Sequence, residues 1–120
     1  MQAELRRDLV RAIRSRDEVA VAALRSALAA LANAEAVDAA QARLAVAEGP
    51  TIAGSLVGVG AAEVDRRELA PADVAAILRA EVAERIEAAA DYRRRGHDDR
   101  AARLEEEAEV LRSYLQGVTS

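Results

Sequence analysis

The sequence predicts an all-α protein, a four-helix bundle of two antiparallel helical pairs with an apolar, glycine-containing insert between helices 2 and 3. Three observations predict it. Leu, Val, Ile and Ala recur at three- and four-residue spacing along most of the chain. Ala, at 31 of 120 residues, Leu, Arg and Glu dominate the composition, and these are the strongest helix formers. The six glycines and two prolines fall between the periodic segments and not inside them.

The first helix is predicted from about Ala3 to Ser15. Leu5, Leu9 and Ile13 form its buried stripe, with Arg7, Arg11 and Arg14 on the other side. Five arginines from Arg6 to Arg16 stand against Glu4 and Asp8 in this region. Asp17 reads as the N-cap of the second helix. Val21, Leu24, Leu28 and Leu31 form one stripe of that helix. Ala20, Ala23, Ala27, Ala30 and Ala34 beside it permit close approach of another helix. The pattern continues to Glu48, so the element is long, and Gly49 and Pro50 end it.

The insert, residues 49–64, is apolar and uncharged until Glu63, with Gly54, Gly58 and Gly60 inside it. Its glycines disfavour stable helix and its lack of charge disfavours a solvated linker. It is expected to pack onto the bundle or to join two copies of the chain through residues 51–64. Pro71 opens the third helix, which runs to about Arg95. Its stripe is Leu78, Val82, Ile86 (or the stem of Arg85), Ala89 and Tyr92. Gly96 fits the position after the helix end, and Asp98 is the expected cap of a fourth helix from about Asp99 to Gln116. Ala101, Leu104, Ala108, Leu111 and Leu115 form its apolar seam. The whole, 1–120, reads as one domain.

Composition excludes several chemistries. There is no Cys, hence no disulfide, thiolate nucleophile or cysteine metal site, and no Lys, hence no lysine Schiff base. The N-terminus lacks the apolar core of a secretory signal, and no uncharged run reaches membrane-spanning length, so a cytoplasmic protein without a membrane contact is expected. An alanine- and arginine-rich composition of this kind fits a bacterial origin. Phe and Trp are absent, which leaves a thin interior built from 28 Leu, Val and Ile residues and makes self-association an expectation.

No catalytic set emerges. His97, the single histidine, sits in the predicted turn without a second ligand for a metal. Glu81, Glu84 and Glu87 lack the histidines of a di-iron bundle and read as a solvated face with a Glu81–Arg85 pair. Ser26 and Ser55 lack a base or a nucleophile elbow. No phosphate-binding glycine loop is present. Neither cofactor nor metal is expected. Arg7, Arg11 and Arg14, and the Arg93–Arg94–Arg95 cluster, are candidates for contact with RNA or a protein partner. A net charge of −4 and only two aromatics, Tyr92 and Tyr114, weigh against an RNA-stacking platform.

The run LRSALAALANAEA (Leu24–Ala36) resembles the YqeY-like family, which is related to the C-terminal region of the GatB subunit of tRNA-dependent amidotransferases. Arg25, Asn33 and Glu35 stand at its motif positions. The stretch from Glu81 to Leu115 resembles it more specifically, with Arg85, Tyr92, Gly96 and Tyr114 in place. Three departures matter. The chain stops at Ser120, where the family carries a further helical tail associated with tRNA. Ala32 stands where the family has Lys. The segment from Glu35 to Arg67 is longer than usual, and in a second register Ala62–Glu63–Val64 falls on the Asn-Ala-Glu run.

The family label implies carbon–nitrogen ligase activity with glutamine as amide donor. In the amidotransferase that chemistry resides in other domains and a partner subunit. The resemblance therefore implies a non-catalytic helical module that docks to a protein or tRNA partner. The rival is a homo-oligomeric structural protein with no link to tRNA.

Overall fold

The computed structural model describes residues 1–47 and 69–117 of the chain. Among the described residues there are four helices and no strand: α1 (Gln2–Ser15), α2 (Glu18–Ala47), α3 (Pro71–Arg94) and α4 (Asp98–Ser113). Pro71 opens α3 as expected. The single-domain reading and the oligomer contact through 51–64 fall on residues that include the insert, which lies outside the described residues. The chain divides into two compact units, one of residues 1–30 with 70–120 and one of residues 31–69.

The first unit holds α1, the start of α2, and the α3–α4 hairpin. α3 and α4 run antiparallel, since Arg85 pairs with Glu107 and Arg93 with Glu105. Leu5, Leu24, Leu78 and Leu111 are its fully buried large side chains. Ala23 and Ala27 of α2 are wholly buried, which is the close packing that their spacing predicts.

Two residues expected inside are outside, for one reason. A helix turns about 100° per residue, so a stripe read at i, i+4, i+8 drifts about 40° per step. Ile13 is about 80° from Leu5, and it is 47% exposed, while Ala12, about 20° from Leu5, is buried instead. Ile86 stands in the same relation to Leu78 and is 41% exposed. Arg85, seven residues from Leu78, takes the inner position, as the alternative reading of that stripe allowed.

The C-terminal ends of α1 and α3 close by the same device. Gly96 N–H donates to the Arg93 carbonyl (3.1 Å) and His97 N–H to that of Tyr92 (2.9 Å), with Gly96 at φ +83°. Arg16 N–H donates to the Ile13 carbonyl (3.2 Å) and Asp17 N–H to that of Ala12 (3.0 Å), with Arg16 at φ 59°. These are Schellman closures, whose left-handed residue is ordinarily Gly or Asn. Asp17 caps α2 by accepting the Ala20 N–H at 3.1 Å. Asp98, expected as a cap, is instead the first residue of α4, and His97 holds the cap position without a side-chain hydrogen bond. The reason is the Schellman turn, which commits His97 to the closure of α3 and lets α4 begin directly after it.

In the second unit α2 continues unbroken to Ala47. Leu31 is buried and Asn33 exposed, Glu35 is half-buried, and Val37 and Leu44 are exposed. Glu18–Val46 is long and apolar enough to cross a membrane by length and composition alone. Within the first unit its Ala23, Leu24 and Ala27 are packed inside the protein.

Candidate functional site

The most developed polar constellation is a ladder across three helices of the first unit. Ser26 of α2 donates its hydroxyl to Glu81 Oε1 of α3 at 2.6 Å. Arg85, one turn on, donates Nη1 to the same Oε1 at 3.0 Å and to the Glu81 carbonyl at 3.2 Å. Its Nε donates to Glu107 Oε1 of α4 at 3.1 Å. Arg103 closes the ladder at the surface, 3.4 Å from Glu107 Oε2, and reaches the Glu18 carbonyl at the start of α2. The Glu81, Arg85 and Glu107 side chains are only 11–13% exposed. Among the described residues no buried side-chain nitrogen or oxygen lacks a partner.

Glu81 was expected on a solvated face, and that part is corrected: its side chain is largely buried, while Glu84 and Glu87 are exposed as expected. The Glu81–Arg85 pair is present. Glu81 points inward because Arg85 does, since residues four apart share a helix face. The sequence alone does not bring Ser26 and Glu107 together as a set. The available signal is a serine inside an alanine-lined stripe, a place where a hydroxyl needs a partner.

At the hairpin tip the three arginines are each matched by acids nearby. Arg93 makes a fork with Glu105, Nε to Oε2 at 3.2 Å and Nη2 to Oε1, and lies 3.8 Å from Asp98. The hydrogen bond and the charge of Glu105 hold the Arg93 guanidinium above its usual range, and the hydrogen bond from Arg93 holds the Glu105 carboxyl below its own. Arg94 and Arg95 both turn to Asp91, at 3.1 and 3.5 Å. Tyr92 meets the His97 ring edge-on at 6.1 Å, and the Arg100 guanidinium lies 5.8 Å from the Tyr92 ring centre. A shallow hollow of about 300 Å³ beside Gly96 is lined by His97, Asp98, Asp99 and Arg100, so it carries two carboxylates.

On α1, Arg7 and Arg11 are largely exposed and lie 3.8 and 3.9 Å from Asp8, and Arg14 is exposed. Asp8 also accepts the Tyr114 hydroxyl at 2.5 Å, which ties α1 to the turn after α4. Burial, then the hydrogen bond to Asp8, raises the Tyr114 phenol well above its ordinary range. The family-motif residues thus have distinct places. Arg85 is the centre of the ladder, Tyr92 and Gly96 shape the hairpin, Tyr114 anchors α1, Arg25 is exposed on α2, and Asn33 and Glu35 belong to the second unit.

A family model described as Yqey-like protein matches residues 55–118, more than half of the chain. The chain belongs to the YqeY-like family. Within that match lie Arg85, Tyr92, Gly96 and Tyr114, and each has a structural place in this YqeY-like protein, Arg85 in the ladder, Tyr92 and Gly96 at the hairpin and Tyr114 against Asp8. The matched span begins after Leu24–Ala36 and includes Ala62 and Glu63. No curated protein and no solved structure matches the chain.

Proposed function

We propose that this YqeY-like chain is a non-catalytic helical module, related to the GatB subunit, that docks to a protein or tRNA partner in tRNA-dependent amidation. The observation that carries the reading is how the buried polar groups are used. Ser26, Glu81, Arg85 and Glu107 are committed to one another across α2, α3 and α4. Glu81 Oε1 is taken by Ser26 and Arg85, and the two oxygens of Glu107 face Arg85 and Arg103. The same groups fix the relative placement of three helices, which is what a docking scaffold requires. Among the described residues the other polar side chains lie largely on the surface, where a partner can reach them.

The family label of glutamine-dependent carbon–nitrogen ligase is then a statement about the assembly the module serves. The test is an amidation assay with purified chain, misacylated tRNA, glutamine and ATP, run with and without amidotransferase subunits from the same cell. No turnover by the chain alone, with co-purification of the chain on the amidotransferase or its tRNA, supports the module. Turnover by the chain alone that follows the chain through successive purification steps overturns it.

A further inference from the structure

We propose that the corner between α1 and α2 is a binding groove for an acidic, amphipathic helix of a partner protein; this rests on the reading of the chain as a docking module and specifies where and what it docks. The groove, about 410 Å³, has a floor of Ile13, Val21 and Ala22 and a rim of Arg16, Glu18 and Arg25. Ile13 was expected in the interior, yet it leaves nearly half its surface in solvent, next to Val10, which is 48% exposed. Exposed aliphatics that adjoin one another are what an apolar partner surface covers.

The rim supplies the charge. The ion pairs among the described residues engage Arg7, Arg11, Arg85, Arg93, Arg94, Arg95, Arg103 and Arg112, and neither Arg16 nor Arg25 is among them. Both are exposed and line the groove. Two cations against Glu18 make the rim complementary to carboxylates. Arg16 also occupies the left-handed closing position of α1, at φ 59°. The equivalent position of α3 holds Gly96, the relaxed choice. A long cationic side chain in that strained place, aimed along the rim of an apolar groove, costs stability and supplies a binding charge.

The chemistry selects among occupants. A phosphate backbone has no apolar face to cover Ile13 and Val21, and no aromatic lines the groove for a base to stack on. A second copy is an outcome of the test: in its α4 Glu105 is held by Arg93, Glu107 is buried and Glu109 is held by Arg112, while Glu106 is exposed and in no ion pair of the described residues, so a concentration-dependent dimer of the chain alone that Arg25→Glu abolishes overturns the groove as a partner site. A separate helix with aliphatic anchors at i, i+3 or i+4 and i+7, flanked by Glu or Asp, matches both floor and rim.

The experiment titrates the full chain into a fluorescein-labelled peptide of about sixteen residues with Leu at those anchor positions and Glu on both flanks, read by anisotropy. Matched peptides carry Lys for Glu, or Ala for Leu. The groove predicts binding of the Glu–Leu peptide alone, weakened at least about tenfold by Arg16→Gly and by Arg25→Glu, which is about 1.4 kcal/mol. Arg25→Glu is expected to gain the Lys peptide, and Arg16→Gly to lose affinity while raising the melting temperature, so neither result can come from misfolding. Equal binding of the Lys and Glu peptides, no binding of any peptide, indifference to both variants, or tRNA binding that depends on Arg25 and excludes the peptide overturns the groove. If the chain nonetheless co-purifies with an amidotransferase, the docking role survives and only this site falls.

Discussion

Removing the guanidinium of Arg85 is the sharpest perturbation of the ladder. Arg85→Met keeps the aliphatic stem and deletes the donors to Glu81 Oε1 at 3.0 Å, the Glu81 carbonyl at 3.2 Å and Glu107 Oε1 at 3.1 Å. Two carboxylates, each about nine-tenths covered, are then left facing each other without their shared cation. Breaking a buried pair from one side costs about 3–5 kcal/mol, because the remaining charge stays desolvated. Replacing Glu81, Arg85 and Glu107 together by Met, Met and Leu removes the stranded charges as well. The Ser26 hydroxyl can then turn to a carbonyl of its own helix. Such triple replacements run from neutral to about 1–4 kcal/mol stabilising. The assay is urea unfolding followed by far-ultraviolet circular dichroism, with trimethylamine oxide added to both proteins if the single variant is unfolded in buffer. A single variant within about 1 kcal/mol of the parent, or a triple variant as unstable as the single, refutes the claim that the three charges act as one unit.

Further outcomes follow from the closing turns and the surface pairs. Gly96→Ala is expected to cost about 1–2 kcal/mol through backbone strain alone, since an added Cβ meets nothing within 4 Å; unchanged unfolding in urea would contradict it. Arg16→Gly is expected to stabilise by about 0.5–1 kcal/mol, the left-handed strain relieved less the extra freedom of Gly in the unfolded chain; differential scanning calorimetry measures it. Tyr114→Phe should cost about 1 kcal/mol at neutral pH by loss of the bond to Asp8. Because the folded phenol is raised, its contribution is complete below the ordinary tyrosine range and lost as pH rises through and beyond it. Tyr114→Phe should flatten that alkaline loss in a series of melting temperatures. Glu105 works at the other end. Its carboxyl is lowered in the folded chain, so its contribution is present above the ordinary glutamate range and is lost as pH falls through the depressed value. Glu105→Gln and Arg93→Ala should both reduce the acid-side slope of melting temperature, and a slope unchanged in either contradicts the fork.

The four helices were legible because every level of the sequence agrees on them. Pro71, Gly96 and Asp17 punctuate the chain where the apolar period stops, and each closes or opens a helix in the structure. The buried faces were less legible, and the misreadings share a cause. Choosing only large aliphatics selects the i, i+4, i+8 diagonal, which rotates away from the core by the third residue. Ile13 and Ile86 are those third residues, and both are exposed. The positions that stay on the buried face, seven residues on, hold Ala12, too small to stand out, and Arg85, which hydrophobicity admits only through its aliphatic stem.

That same substitution of a polar residue for an apolar one explains why the candidate site was only half visible. Arg85 can face inward only if carboxylates meet it there, and the nearest, Glu81, is visible in sequence as its i−4 neighbour. Glu107 lies twenty-two residues away across the hairpin and Ser26 fifty-five residues from Glu81, so no local period connects them. Their link exists only once α2, α3 and α4 are packed. Conversely, Arg93, Arg94 and Arg95 are conspicuous in sequence as a run of like charge, yet the fold brings Asp91, Asp98 and Glu105 against them. Arg16 and Arg25, nine residues apart and inconspicuous, are the cations that share an apolar groove and take no part in the ion pairs of the described residues. A charge run measures how much cation a segment carries. Which of those cations stands beside an acid is decided by folding, so a run of arginines in the sequence does not by itself mark a binding surface.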